Sequence, residues 1–190
     1  RINRAIADGS FYQNSILLDL IQKAKSANGR VHLMGLVSDG GVHSHLDHLI
    51  ALMEACRRNG IKECYVHGIL DGRDTSPNGG IGYTRQVSNW MQKHQYGHWA
   101  TLCGRFWAMD RDNRWERVEK AYRCMVDGMV GGMDGGKDGR IDNRMDASTQ
   151  AKDVQQALAE SYKANIPDEF FEPIVCQPTG RIRDKDTVLM

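Results

Sequence analysis

The sequence carries no charge bias, no long apolar run and no paired-cysteine motif, and each absence removes a class of function. Its 25 basic and 24 acidic residues leave a formal net charge of +1, so no global basic field argues for nucleic acid or a membrane surface as partner. Its apolar runs fall far short of the roughly 20 residues a membrane-spanning helix needs. Five cysteines (Cys56, Cys64, Cys103, Cys124 and Cys176) are dispersed without a CxxC spacing. An odd, scattered set fits buried reduced thiols in a cytoplasmic protein rather than a disulfide framework. No signal peptide opens the chain, where Arg1-Ile2-Asn3-Arg4-Ala5 leads into a mixed polar segment. The first residue is not Met, and the last run, Thr187 to Met190, reads as a strand that stops abruptly. A piece of a longer chain is expected.

What is present is ordinary globular material. At 190 residues, 41% apolar and 26% charged, the chain is long enough for a real core and is expected to form one domain. Residues Ile2 to Ala27 carry two helical patterns, the second with Ile16, Leu17, Leu20, Ile21 and Ala24 at helical spacing and Asn28-Gly29 at its end. Val31 to Val37 is a short apolar run bounded by turn residues, which predicts a buried strand. Leu46, Leu49, Ile50, Met53 and Cys56 then make a helix stripe, with Ser44 and Asp47 three apart as a capping-box pattern.

The unit recurs. Cys64 to Leu70 is a strand, followed by a helix face of Thr84, Val87, Met91 and His94. Ala100 to Cys103 is a third strand, followed by a helix whose stripe of Trp115, Tyr122, Met125 and Met129 reads as packing against the core. Trp90 and Trp107 read as core or cover residues. Six glycines between Gly128 and Gly139 predict an exposed loop. Ser148 or Thr149 is expected to cap a helix reaching about Asn165. Pro167 to Pro173 reads as a connector, Ile174 to Cys176 as a short strand, and Arg181 to Asp186 as a polar turn. Strand and helix alternate without a hairpin signal, which argues for βαβ units in a three-layer α/β/α domain around a mainly parallel sheet.

In open α/β sheets ligands sit beyond the carboxyl ends of the strands. The loops expected there are SDGGVHSH, DGRDTSP and GRFWAMDRD, and they concentrate the unusual chemistry. They bring His43, Arg73, Asp74, Arg105 and Arg111 to one edge, with His45 nearby. Guanidinium forks suit phosphate and carboxylate, and Asp74 could accept or deliver a proton. The competing reading of the arginines is a set of separate structural ion pairs, with Arg73 and Asp74 simply pairing with each other. His43-Ser44-His45 also allows a metal site, although arginines converging on a cation would oppose it. GGMDGGKD (Gly131 to Asp138) matches GxxxxGK but lacks the Ser or Thr that should hold Mg²⁺, and it follows a helix rather than a strand.

Taken together, VSDGGVHSH (Val37 to His45), LDGRDTSP (Leu70 to Pro77) and GRFWAMDRDNRWERVEKAY (Gly104 to Tyr122) closely resemble the cofactor-independent phosphoglycerate mutases, which need no 2,3-bisphosphoglycerate. The likeness runs from the opening RIN to the closing DTVLM. It implies an isomerase of glycolysis and gluconeogenesis that interconverts 3-phosphoglycerate and 2-phosphoglycerate through a phosphoserine. It also implies two domains: a phosphatase-like domain with the serine and two divalent ions, usually Mn²⁺, and an inserted phosphotransferase domain that holds substrate. Residues 1–190 match the inserted domain only, and the serine and metal-ligand motifs have no counterpart here. The substrate contacts the resemblance implies are His43, Arg73, Asp74, Arg105 and Arg111, with Asp74 as the proton-handling residue. The expected partners are the small-molecule substrate and the chain's own phosphatase-like domain, in a monomer. Alternatives are a stand-alone anion-binding module for a phospho-metabolite and a metal-dependent hydrolase using His43 and His45.

Overall fold

The alternation of apolar runs and helical stripes folds into a five-stranded sheet with helices on both faces. The computed structural model describes residues 1–130 and 153–190. In chain order the elements are α1 (Ile2–Asp8), α2 (Ser15–Ala27), β1 (Arg30–Leu36), α3 (Leu46–Arg58), β2 (Glu63–Leu70), α4 (Gly80–His94), β3 (His98–Gly104), α5 (Arg105–Ala108), α6 (Trp115–Val126), α7 (Val154–Lys163), β4 (Ile174–Val175) and β5 (Thr187–Leu189). Short 3₁₀ turns lie at Ser10–Gln13, Asp168–Phe170 and Pro178–Gly180. The strand order is β4-β3-β2-β1-β5. All neighbours are parallel except β4, which runs antiparallel to β3.

Side chains alternate across a strand, and the two faces bury different partners. Val31 and Leu33 of β1, with Cys64 and Val66 of β2, pack under α2, α3 and α4 through Ile21, Ala24, Met53, Cys56 and Val87. Leu70 and Leu102 extend that layer to Val154 and Leu158 of α7. The other face presents Leu36, Ile69 and Cys103 to Ala121 and Met125 of α6. Local chemistry sets the helix starts: the Asn14 side chain accepts from Leu17 N and the Asp153 side chain from Gln156 N, each satisfying an orphan donor of a first turn.

Several local expectations are corrected. The start of α3 is not a capping box. His45 is its N-cap and accepts from Asp47 N through Nδ1, while Ser44 Oγ donates to the Leu36 carbonyl. On α6, Trp115 and Tyr122 are 71% and 60% exposed. Small and flexible residues, Ala121, Cys124 and Met125, form the buried stripe instead, and the helix ends before Met129. Asp153, rather than Ser148 or Thr149, caps α7. The glycine-rich stretch from residue 131 on and those two hydroxyl residues lie outside the described residues. Four of the five cysteines are buried and all are free thiols.

One polar chain runs through the core, from the middle of β3 and β2 through β1 to the segment entering β5. Thr101 Oγ1 lies 2.9 Å from His67 Nδ1, His67 Nε2 lies 2.9 Å from His32 Nδ1, and His32 Nε2 lies 2.8 Å from Asp186 Oδ2. Both imidazoles are fully buried. An ionised Asp186 can only accept, so His32 carries its proton on Nε2, His67 donates from Nε2 to His32 Nδ1, and the Thr101 hydroxyl donates to His67. The direction of the whole chain follows from one carboxylate. The turn expected at Arg181 to Asp186 therefore ends in a structural anchor. Asp186 also receives the Asn28 amide, Arg30 Nε and the Arg183 backbone N–H.

Burial pushes both histidines down, to about 3 for His67, and the Asp186 hydrogen bond only partly offsets it at His32. The unfolded chain protonates these imidazoles near their ordinary value of about 6.5, and the folded chain resists. Their stabilisation is therefore complete above about pH 6.5 and is lost as pH falls below it, by up to about 1.4 kcal/mol per pH unit for each histidine. Urea unfolding followed at pH 7.5, 6.5 and 5.5 should show the midpoint falling well above the carboxylate range, and His67→Gln should make that slope shallower.

Candidate functional site

Parallel register brings three loops to one edge. Leu36 of β1 is level with Ile69 of β2, and Leu70 of β2 with Gly104 of β3. The chain therefore leaves all three strands at nearly the same height, and the loops starting at Val37, Asp71 and Arg105 share one end of the sheet.

The residue that joins them is Asp71, only 3% exposed. Its carboxylate accepts from Ser38 Oγ at 2.9 Å, from Arg105 Nη1 at 2.7 Å, and from the backbone N–H groups of Arg73 and Asp74 at 3.3 and 3.0 Å. Burial alone would push this carboxyl up. The donated hydrogen bonds, led by Asp74 N–H, Ser38 and Arg105, outweigh it and hold the group below its usual range. Asp71 is thus an anion that ties loops 33 residues before and 34 residues after it in sequence.

Around that anchor the expected residues divide. Arg105 is mostly buried and bridges two carboxylates through Nη1, Asp71 at 2.7 Å and Asp74 at 2.8 Å. Its Nε and Nη2 make no hydrogen bond to the described residues. His43 Nε2 stands 3.8 Å from Asp74 Oδ2, on a half-exposed ring. Arg73 does not pair with Asp74. It reaches away from the loop to Glu169 Oε1, 2.9 Å from its Nη2. His43, Asp74 and Arg105 are therefore brought together, with Arg73 beside them on the same loop. Arg111 is not drawn in. It projects, exposed, from a turn held by Asp110, whose carboxylate accepts from the N–H groups of Asp112 and Arg114 and from Arg117. Among the described residues Arg111 forms no ion pair.

The stretch expected to be a mere connector is the fourth wall. Gly72 adopts φ +65°, and a Cβ there would lie 2.7 Å from Glu169 N. A Cβ at Gly104 would fall inside the backbone carbonyls of Asp168 and Glu169. Gly104 N donates to the Phe171 carbonyl at 2.7 Å, and Asp168 N to the Pro77 carbonyl at 2.8 Å. The Asp168 carboxylate is buried, receives Gly80 N and the Tyr162 hydroxyl, and is pushed up by burial. Asp71, Asp168 and Glu169 were not among the candidate residues. The available signal was the glycine at 72 and at 104, each beside a charged residue, which marks close backbone approach. On the first loop, Tyr83 of α4 donates to Asp39 at 2.6 Å.

Two other readings of this edge fail on geometry. Among the described residues no group of three or more His, Cys, Asp or Glu is placed to hold a metal ion. His45 turns away to cap α3 and lies against His48. These residues do not fit the divalent ions the resemblance implies, and a hydrolase built on His43 and His45 lacks its ligand set. A cavity of about 620 Å³ opens between α6 and β1; its walls are mostly apolar, including Met34, Leu36, Val118 and Met125, with His43, Ser44 and His48 also lining it.

The family model for the BPG-independent PGAM N-terminus matches residues 2–190. The chain belongs to this family. It is 44% identical over 191 residues to the 2,3-bisphosphoglycerate-independent phosphoglycerate mutase of Caenorhabditis elegans, covering all of this chain and 32% of that protein. It is 43% identical to the mutase of the same name from Moorella thermoacetica, again over the whole chain and 34% of the relative. A crystal structure of Leishmania mexicana phosphoglycerate mutase at low cobalt concentration aligns with 98% of this chain and 33% of its own, at 25% identity and a TM-score of 0.77. The chain thus spans about a third of the length of the relatives it matches. The family match runs through all three loops.

The close approach at Gly104 makes a stability test. Gly104→Ala forces a methyl onto backbone that cannot swing aside and should cost about 1–3 kcal/mol. Gly35→Ala, where a Cβ meets nothing within 4 Å, should stay within about 0.5 kcal/mol. Urea unfolding of the two variants side by side checks this.

Proposed function

We propose that residues 1–190 form a single substrate-holding phosphotransferase domain of a two-domain phosphoglycerate mutase that works without 2,3-bisphosphoglycerate. The observation that carries this reading is Arg105, pinned between Asp71 and Asp74 through Nη1, with Nε and Nη2 making no hydrogen bond to the described residues. The family match along the whole chain supplies the substrate class.

In this reading 3-phosphoglycerate gives its phosphoryl group to a serine of a phosphatase-like domain, and the glycerate is kept here until its other hydroxyl attacks the phosphoserine to yield 2-phosphoglycerate. The task of these residues is to hold and orient, where much of a phosphoryl-transfer rate gain can lie. Arg105 and Arg73 offer planar forks to carboxylate or phosphoryl oxygens. Asp74, paired with Arg105, can accept the proton of the attacking hydroxyl. His43, too far from Asp74 for a hydrogen bond, can turn its Nε2 to the glycerate. Arg111, on its exposed turn, would engage only when ligand or the other domain closes on this edge. The two divalent ions, Mn²⁺ by the family's habit, would belong to the phosphatase-like domain. The protein is read as a cytoplasmic monomer that uses neither nucleic acid nor membrane; among the described residues no helix is long and apolar enough to cross one.

Calorimetry of residues 1–190 with 3-phosphoglycerate, with and without Mn²⁺, tests the proposal. The expected result is measurable phosphoglycerate binding, no stoichiometric Mn²⁺ binding and no turnover. Arg73→Ala should weaken binding about tenfold, the loss of one charge-assisted contact. Unchanged affinity in that variant, tight Mn²⁺ binding, or mutase activity from this chain alone would each overturn it.

A further inference from the structure

The two arginines at this edge are held in opposite ways. Arg105 has an 11% exposed side chain and two carboxylates on one nitrogen. Exchanging either partner would leave a charge behind, so its orientation is fixed. Arg73 has a 52% exposed side chain and a single carboxylate partner. The partner is the rigid member of that pair: the Glu169 side chain is 17% exposed, and its backbone is wedged between Gly72 and Gly104 and tied on both sides by Asp168 N to Pro77 O and Gly104 N to Phe171 O. Thus Glu169 stays in place while Arg73 has solvent to move through.

The geometry points to Glu169 as a resting counter-charge that Arg73 exchanges for an anionic ligand, so that this one carboxylate sets how tightly the site grips a phosphate or carboxylate group. The inference rests on the anion-site reading above. With no ligand, Glu169 gives Arg73 a defined parking position on the lip of the site. When ligand arrives, the Arg73 fork leaves one acceptor for another. The affinity observed is then the difference between two charge-assisted contacts, not the full worth of one. Such an arrangement suits a site that must release its product, since the counter-charge stands ready to take the arginine back.

The consequence is a gain of affinity from a loss of charge, which a damaged fold would not produce. Glu169→Gln keeps the shape of the side chain and removes its charge. Its affinity for 3-phosphoglycerate, by calorimetry at low salt, should be about two- to fivefold tighter than that of the unchanged chain, the range an exposed ion pair supports. The gain should shrink as salt is raised, and the urea midpoint should barely move. In an Arg73→Ala background the same substitution should lose most of its effect, because the two side chains act as a pair. If Arg73→Ala weakens binding while Glu169→Gln leaves it unchanged or weaker, the site stands and the counter-charge role falls. A gain that persists undiminished without Arg73 would be a general charge effect and would also overturn it. If neither the unchanged chain nor the Glu169 variant binds, the anion-site reading falls and takes this inference with it.

Discussion

A carboxylate taken out of water has to be surrounded by donors, and Asp71 meets that demand by drawing on three loops at once. An unpaired charge at its position would cost several kcal/mol. The chain instead delivers Ser38, two backbone N–H groups and the Arg105 guanidinium. None of these donors can leave without stranding the charge, so the loops cannot move independently of one another. Parallel strand register places the loops at one edge; the buried anion makes them a single object. The orientation of Arg105, and through it the position of Asp74, follows from that constraint.

This explains which parts of the molecule could be read along the chain. Short apolar runs bounded by turn residues and helical stripes depend on residues a few positions apart, and β1, β2, β3 and the helices between them follow from them directly. The chemistry of the three loops was legible for the same reason: HSH, DGRD and GR are local words. The role of Asp71 was not, because it depends on Ser38 and Arg105 being neighbours in space. Glu169 was hidden more deeply, in an irregular stretch with no periodicity and a Pro at each end. The error on α6 has a different cause. Trp115 and Tyr122 carry the most apolar area, but apolar area read along the chain does not say which face of the helix the sheet covers: Ala121, Cys124 and Met125 lie on the buried face, and Tyr122 lines the open cavity between α6 and β1.

The interior of the sheet uses the same device for a different purpose. Asp186 fixes the tautomers of His32 and His67 as Asp71 fixes the loops. That chain ties β1, β2 and β3 to the segment entering β5, and its members are satisfied by each other. A fully paired buried network adds rigidity and specifies a single arrangement. The strand ends that carry the site loops are therefore mounted on a sheet whose three central strands are tied to one another through their side chains.

An anion site with more carboxylates than arginines, as proposed here, looks self-defeating only if a guanidinium is counted as a point charge. It presents five N–H donors in a plane, and Arg105 commits one nitrogen to its two carboxylates. Its Nε and Nη2 make no hydrogen bond to the described residues, so the acidic groups fix the fork's orientation and still leave donors uncommitted. In the reading proposed above, the cost is a weaker net field, which a ligand with several anionic oxygens would offset through simultaneous contacts better than a simple monoanion. Selectivity for a doubly anionic ligand would then arise from the balance itself. A site of bare arginines would hold most small anions, and would hold its product as firmly as its substrate.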